Sequence, residues 1–159
     1  MSEIDRIADE LRRDQQADPW HGPSARQVLE GVTAAAAAAR PVAGAHSIWE
    51  IVLHLTAWRG EVARRVEGGE PAEPAEGDWP VVADTGDEAW ARTGTRLQES
   101  HDRLAAALRR LPDGRLDEPV SRAGVAGSGV TYYVMLHGVA QHDAYHLGQI
   151  SVLKRALGL

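Results

Sequence analysis

The stretch SIWEIVLHLTAWRGEVARRVEG, residues 47–68, carries the strongest helix signal in this chain of 159 residues. Ser47 and Glu50 have the spacing of an S-x-x-E capping box, in which each side chain satisfies a backbone N–H at the start of a helix. An apolar run follows, and the glycines at Gly68 and Gly69 favour a helix end. These signals predict a helix that begins at Ser47 and closes at the glycine pair.

Three further stretches show the amphipathic spacing of long helices, whereas strand patterns are scarce. The predicted helices run from Glu3 to Ala17, from Thr85 to Leu111 and from Thr131 to Ala156. The second of these opens with Thr85 and Glu88, which repeat the spacing of a capping box. Four long helices predict an all-α fold, namely a four-helix bundle in which facing side chains build any site.

Long connections separate these helices. Residues 68–84 are rich in Pro, Gly and Glu, and residues 112–129 are rich in Gly, so both stretches are expected to be loops that shape a pocket. Shorter helical pieces are predicted over residues 24–32 and over the alanine tract that precedes Pro41. No break in composition points to a second domain, and we interpret residues 1–159 as one domain.

The composition excludes several classes of protein. The chain has 17 basic and 23 acidic residues, and its net charge of −6 argues against nucleic acid or an anionic membrane as the main partner. It has no cysteine, which excludes disulfides, thiolate metal sites and a cysteine nucleophile. No segment approaches the roughly 20 apolar residues of a membrane span, and the charged N-terminal stretch lacks the apolar region of a signal peptide. We therefore expect a cytoplasmic protein that is not bound to membranes.

The last predicted helix contains HGVAQHDAYHLGQI, residues 137–150, with three of the seven histidines of the chain. Residues four apart lie on one face of a helix, so His142 and His146 project together onto an apolar stripe. His54 lies on the helix quoted above and is expected to face the interior of the bundle. Because neutral imidazole is a common metal ligand, the pair and one histidine from a facing helix could supply three nitrogens to one ion.

Each of these histidines also has a purely structural interpretation. A histidine pair at this spacing occurs on helices that bind no metal, and His54 taken alone fits a hydrogen-bonded histidine of the core. Burying two imidazoles without partners would cost free energy, which favours a shared ligand. The other histidines are expected in surface, loop or capping roles, and the tryptophans of the predicted helices in the core: His21, His46, His101 and His137; Trp49, Trp58 and Trp90.

Three protein ligands leave a coordination position for water or substrate, which is typical of catalytic rather than structural zinc, although nickel, cobalt and iron also accept imidazole. Glu50 and Glu61 share a helix face with His54, and they are candidates to orient a ligand or carry a proton. A solvated or salt-bridged helix face explains both residues more simply. Gln149 follows His146 by almost one turn and could either hydrogen-bond into the site or pack against it.

The segments SIWEIVLHLTAW and HDAYHLGQI, together with the upstream WHGPS and RPVAGAHSIWE, resemble the DinB/YfiT-like superfamily of four-helix bundles. The resemblance extends from about residue 20 to residue 159. The signature of the superfamily is one histidine on the second helix and an H-x-x-x-H pair on the last, which correspond here to His54, His142 and His146. The resemblance thus implies that these residues bind a divalent transition metal such as zinc or nickel, and that the chain pairs as a homodimer.

Some relatives in this superfamily are metal-dependent transferases that use a low-molecular-weight thiol such as bacillithiol or mycothiol. The resemblance implies a similar S-transferase activity on a small-molecule substrate, with the thiol supplied as a cofactor because the chain has no cysteine. Two alternatives stay open. The protein could be a metallohydrolase in which the metal activates water against a small molecule, or a non-catalytic, stress-related metal-binding protein.

Overall fold

The helices of the chain are seen in a computed structural model that describes residues 1–121 and 129–159. Their bounds are α1, Glu3–Gln16; α2, Ala25–Leu29; α3, Ala34–Ala38; α4, Ile48–Val66; α5, Asp87–Arg110; and α6, Tyr132–Ala156. A 3₁₀ turn at Asp113–Arg115 follows α5. Over these described ranges the only β pairing is an isolated bridge between Pro119 and Thr131. The predicted all-α class is therefore confirmed.

The four long helices pack side by side as a bundle. α4 packs against α5 and α6, and α1 packs against the same two helices, so that each long helix has two long neighbours. The short helices cover the sides, with α2 on α1 and α6, and α3 on α4 and α5. The predicted four-helix bundle is confirmed. None of the described helices combines the length and apolarity that crossing a bilayer would need.

Side-chain caps begin most of these helices, as the sequence predicts for α4. The Ser47 hydroxyl accepts a hydrogen bond from the Glu50 N–H at 3.2 Å, and a Glu50 carboxylate oxygen accepts one from the Ser47 N–H at 2.8 Å. The same two-way arrangement begins α1 and α2, and the Thr131 side chain caps α6. Local hydrogen-bonding chemistry thus sets where these helices start.

The capping box predicted at Thr85 and Glu88 is wrong. Helix α5 begins at Asp87 with Gly86 as its N-cap, and within the described chain no side chain hydrogen-bonds to that cap. Thr85 is exposed and precedes the N-cap, which leaves its hydroxyl outside the first turn. Two acidic residues in the first turn favour this later start, because the N-terminus of a helix carries partial positive charge.

The connection between α4 and α5 runs past the histidine face of α4. In it, the carbonyl oxygen of Asp78 lies 2.6 Å from Nδ1 of His54, so this loop does reach the predicted site. The second predicted loop, residues 112–129, contains the 3₁₀ turn after α5. Its residues 122–128 lie outside the described chain, and so does their expected part in shaping a pocket.

The core of the bundle consists of two apolar clusters. One lies where the end of α4 meets the start of α6, and it includes the fully buried Leu108 and Leu136. The other lies where the start of α4 meets the end of α6, and it includes Leu55 and Ile150. Both clusters draw on α4, α5 and α6, so the burial of apolar surface holds the long helices together on either side of a polar layer.

This polar layer centres on a buried ion pair. Arg59 of α4 and Asp143 of α6 have side chains only 1% and 2% exposed, and Arg59 Nε donates to a carboxylate oxygen of Asp143 at 2.9 Å. The Arg59 guanidinium also donates to Gln15 of α1 at 2.7 Å. His101 of α5 is buried in the same layer, so its expected surface or loop role is wrong. The reason is periodicity, since Leu97 and Leu104 place His101 on the inward stripe of α5.

Replacing Ser47 by alanine is expected to lower the free energy of unfolding by about 1 kcal/mol, because the Glu50 N–H loses its capping acceptor. Replacing Thr85 by alanine is expected to change it by less than about 0.5 kcal/mol, since this exposed hydroxyl caps nothing. Urea denaturation followed by circular dichroism measures both values. Equal destabilisation by the two substitutions would contradict the start of α5 at Asp87.

Candidate metal centre

Three histidines from two helices converge at the edge of the polar layer. His54 of α4 and the pair His142 and His146 of α6 each offer a ring nitrogen, and these nitrogens all lie within 4.8 Å of one another. The Nε2 atoms of His54 and His142 are 2.9 Å apart, and the rings of His142 and His146 have centroids 4.5 Å apart. The structure therefore brings together the three residues that the sequence singled out, on a geometry that could hold a metal ion.

Oxygen atoms outside the cluster orient two of the three rings. Nδ1 of His54 lies 2.6 Å from the carbonyl oxygen of Asp78, and Nδ1 of His146 lies 2.7 Å from the amide oxygen of Gln149. Both oxygens are acceptors, so each Nδ1 carries the hydrogen and each Nε2 presents a lone pair. Histidine ligands of metals usually have such a second partner, which fixes the tautomer and the ring orientation.

The third ring lies beside the ion pair of the polar layer. Nδ1 of His142 is 3.9 Å from Oδ1 of Asp143, while Oδ2 of that carboxylate receives the hydrogen bond from Arg59. Oδ1 is buried and, among the described residues, has no hydrogen-bond partner. Its negative charge therefore faces the imidazole of His142 and is available to stabilise positive charge there.

Burial keeps two histidines of the cluster in the neutral form that binds metals. Burial lowers the pKa of His146 to about 4, against the opposing effect of its hydrogen bond to Gln149, and the neighbouring His142 and His54 act in the same direction as burial. Burial also lowers the pKa of His54, against the opposing effect of its hydrogen bond to Asp78. Because a metal ion binds neutral imidazole, these two residues need not lose a proton before binding at neutral pH.

An aromatic wall completes one side of the cluster. Trp79, in the connection between α4 and α5, stacks on His54 with ring centroids 4.0 Å apart and planes 11° apart. It also stacks on His46 at 3.5 Å and 5°. Trp79 was not among the predicted site residues, because no periodic pattern marks a loop residue. Its one signal is a large aromatic side chain within a stretch otherwise rich in Pro, Gly and Glu.

The candidates for ligand orientation or proton transfer have different surroundings. Glu50 forms an ion pair with Arg40 at 2.5 Å in addition to its capping bonds. Glu61 accepts hydrogen bonds from two arginines of the last turn of α4, each at 2.7 Å. Both carboxylates thus lie in salt bridges, as the simpler interpretation of this helix face proposed. Of the three candidates, Gln149 contacts a histidine of the cluster, namely His146.

The histidines that were expected outside the site do not contribute to the group of three ring nitrogens. His21 pairs with Asp14 at 2.9 Å, and His137 faces acidic residues of α1. His46 belongs to the loop before α4, as expected, although its stacking on Trp79 places it near the cluster. Trp49 is buried as predicted, whereas Trp58 and Trp90 are only half-buried.

A comparison with family models finds one match. The model described as the DinB superfamily matches residues 20–150, which is most of the chain. The matched range contains α4, most of α6 and all three histidines of the cluster. No curated protein and no solved structure matches the chain.

The stability of the protein is expected to fall in acid because of His101. Burial, together with the positive charge of Arg59, lowers the pKa of His101 from 6.5 to about 4. Between these two pH values the unfolded chain binds a proton that the folded chain does not, so the free energy of unfolding decreases as the pH falls. The contribution of this residue across the window is at most about 3 kcal/mol.

The variant His101→Gln removes this titrating group. Urea denaturation at several pH values between 6.5 and 4 is expected to give a shallower pH dependence for the variant than for the wild-type protein. The same slope in both proteins would contradict a neutral, buried His101.

Proposed function

This chain belongs to the DinB superfamily, and we propose that it binds one divalent transition-metal ion through His54, His142 and His146 and uses that ion in a thiol-dependent transfer reaction. The convergence of three imidazole nitrogens within 4.8 Å supports the metal site. The resemblance to thiol-dependent relatives supports the reaction. Homodimer formation, a cytoplasmic location and a single domain over residues 1–159 stay predictions.

The residues of the cluster suit zinc or nickel. Imidazole nitrogen is a good ligand for both ions, and three protein ligands leave positions free for an exogenous molecule. The oxygens of Asp78 and Gln149 hold two of the rings with their Nε2 lone pairs available. The stacked Trp79 restrains the ring of His54 from a second direction. The three histidines therefore fit an open metal site of the catalytic type better than a closed structural site.

A dication in this site would lower the pKa of a coordinating thiol, so that its sulfur becomes a nucleophile at neutral pH. Because the chain has no cysteine, the thiol is a small cofactor, for which bacillithiol and mycothiol are the types suggested by the resemblance. In the transfer, an S–C bond forms to an electrophilic carbon of the substrate and the bond to its leaving group breaks. The leaving group takes the bonding electrons, and the thiol proton passes to solvent.

The chain contributes position and charge to this chemistry. His54 and His146 are held by fixed oxygens, and His142 lies beside the buried carboxylate of Asp143. Trp79 covers one ring of the cluster and limits the approach of water from the side of the loop. These residues are expected to orient the ligand set without themselves touching the reacting carbon.

Metal content tests the ligand set directly. Wild-type protein incubated with zinc or nickel and then dialysed is expected to hold about one ion per chain by elemental mass spectrometry. The variants His54→Ala, His142→Ala and His146→Ala are expected to lose the ion while keeping their helical circular dichroism, because the apolar clusters persist.

The control is His137→Ala, which removes a histidine of α6 that lies outside the cluster. This variant should keep the ion. Full metal content in any of the three cluster variants would exclude that residue as a ligand, and a wild-type protein without metal would refute the proposed site.

The reaction is tested with 1-chloro-2,4-dinitrobenzene, which releases chloride when a thiolate attacks its ring. The zinc- or nickel-loaded protein is expected to accelerate formation of the thioether from bacillithiol or mycothiol, and His142→Ala to reduce the rate to the uncatalysed level. Hydrolysis of an activated ester without thiol would instead favour the metallohydrolase. Neither activity in protein that holds its metal would favour a non-catalytic metal-binding role.

A further inference from the structure

Two cavities of different size adjoin the histidine cluster. The large cavity, of about 670 Å³, lies on the side of His146 and Gln149. The small cavity, of about 320 Å³, is lined by His54 and His142. The cluster thus lies between two spaces, each of which gives access to at least one of its rings.

The lining of the large cavity is apolar and uncharged. None of the described residues that line it is Asp, Glu, Lys or Arg. Its polar side-chain groups belong to His46, His146 and Gln149, together with the Tyr145 hydroxyl and the Trp79 indole N–H, and His146 and Gln149 are already hydrogen-bonded to each other. Most of the wall is hydrocarbon or aromatic surface, which comes from Val42, Ile51, Trp79, Tyr145, Val152 and Leu153.

The large cavity has one exposed end and one buried end. Tyr145 and Val152 are 65% and 56% exposed and mark its mouth. Ile51 and His146 are 2% and 5% exposed and mark its inner end, beside the cluster. A molecule that enters from the exposed side therefore brings its leading end towards His146.

The small cavity differs in its charges. Its lining includes Arg65 and Asp78, one cationic and one anionic side chain, beside Trp58 and Met135. A ligand with charged groups would find partners there. In the large cavity a charged group would lose its hydration without meeting an acidic, lysine or arginine side chain of the described lining, which disfavours its binding.

We propose that the large cavity binds an uncharged, largely apolar small molecule, and that this molecule is the electrophilic substrate of the proposed transfer. The second half of this proposal rests on the proposed function, whereas the first half does not. A cavity of this volume accommodates a small organic ligand, and before any metal binds to His146 the described lining has no Asp, Glu, Lys or Arg side chain to pair with a charged ligand.

Two fluorescent probes that share their aromatic rings test the charge selection. N-phenyl-1-naphthylamine is neutral, and 8-anilino-1-naphthalenesulfonate adds a single sulfonate to the same framework. The neutral probe is expected to bind at least about tenfold more tightly in fluorescence titrations. Equal affinities, tighter binding of the sulfonate or no binding of the neutral probe would overturn the proposal.

A pair of matched variants locates the binding. Val152 and Val134 both lie on α6 and are 56% and 52% exposed, but only Val152 lines the large cavity. Val152→Arg places a charge at the mouth and is expected to weaken the neutral probe at least about tenfold, whereas Val134→Arg is expected to change its affinity less than about twofold. Equal effects of both substitutions would place the probe elsewhere and overturn the proposal.

A second copy of the chain is the alternative occupant of the cavity mouth, and analytical ultracentrifugation of the same samples distinguishes it. If Val152→Arg dissociates a dimer without changing the affinity for the neutral probe, the mouth is an interface between chains and the proposal is wrong. A sedimentation coefficient that is unchanged by Val152→Arg, together with weakened probe binding, supports a small-molecule site.

The zinc content of the same samples separates this inference from the proposed function. His142 lines only the small cavity, so His142→Ala is expected to lose zinc and to keep its affinity for the neutral probe. Zinc binding without probe binding would reject the cavity proposal alone, and probe binding without zinc would reject the metal site alone.

In the chlorodinitrobenzene reaction the neutral probe is expected to compete with the electrophile, and an unaffected rate would reject the substrate assignment.

Discussion

The buried ion pair between Arg59 and Asp143 connects α4 to α6, and the geometry of the candidate site depends on this contact. Both side chains are almost fully excluded from solvent, so separating them would leave an uncompensated charge inside the bundle. Asp143 directly follows His142, and Arg59 lies little more than one turn after His54. The contact that holds the two helices in register is therefore also the one that brings the imidazole of α4 to the pair on α6. Both the folding of the bundle and the assembly of the site therefore require α4 and α6 to pack in this register.

The polar layer around this pair has a cost that the two apolar clusters offset. Arg59 Nη2 and Asp143 Oδ1 are buried without a hydrogen-bond partner among the described residues, which a purely structural core would avoid. Oδ1 of Asp143 faces His142, so one of these two buried atoms lies at the candidate metal centre. We interpret the layer as a support for the site that the remaining apolar core stabilises, in line with the general finding that departures from good packing gather at functional positions.

The connection between α4 and α5 is as much part of the site as the helices are. It supplies the carbonyl of Asp78, which sets the tautomer of His54, and the indole of Trp79, which stacks on the same ring. The cluster then lies between a charged small cavity and an uncharged large one. This arrangement gives the three histidines two approaches of different chemistry, which is consistent with the proposed transfer between a polar thiol and an apolar electrophile.

The sequence by itself determined the helices of the bundle, the shared face of His142 and His146, and the family. The helices and the shared histidine face follow from local periodicity and from capping side chains within a few residues, whereas the family was inferred from the resemblance of short motifs. The start of α5 was missed because Thr85 and Glu88 have the spacing of a capping box although the N-cap is Gly86, and the burial of His101 was missed because its place on the leucine stripe was overlooked. Only the tertiary structure decided that His54 meets the pair, that Asp143 is paired with Arg59, and that Asp78 and Trp79 reach the cluster. Those contacts join residues distant in the chain, and no periodic pattern encodes how a loop packs against a helix.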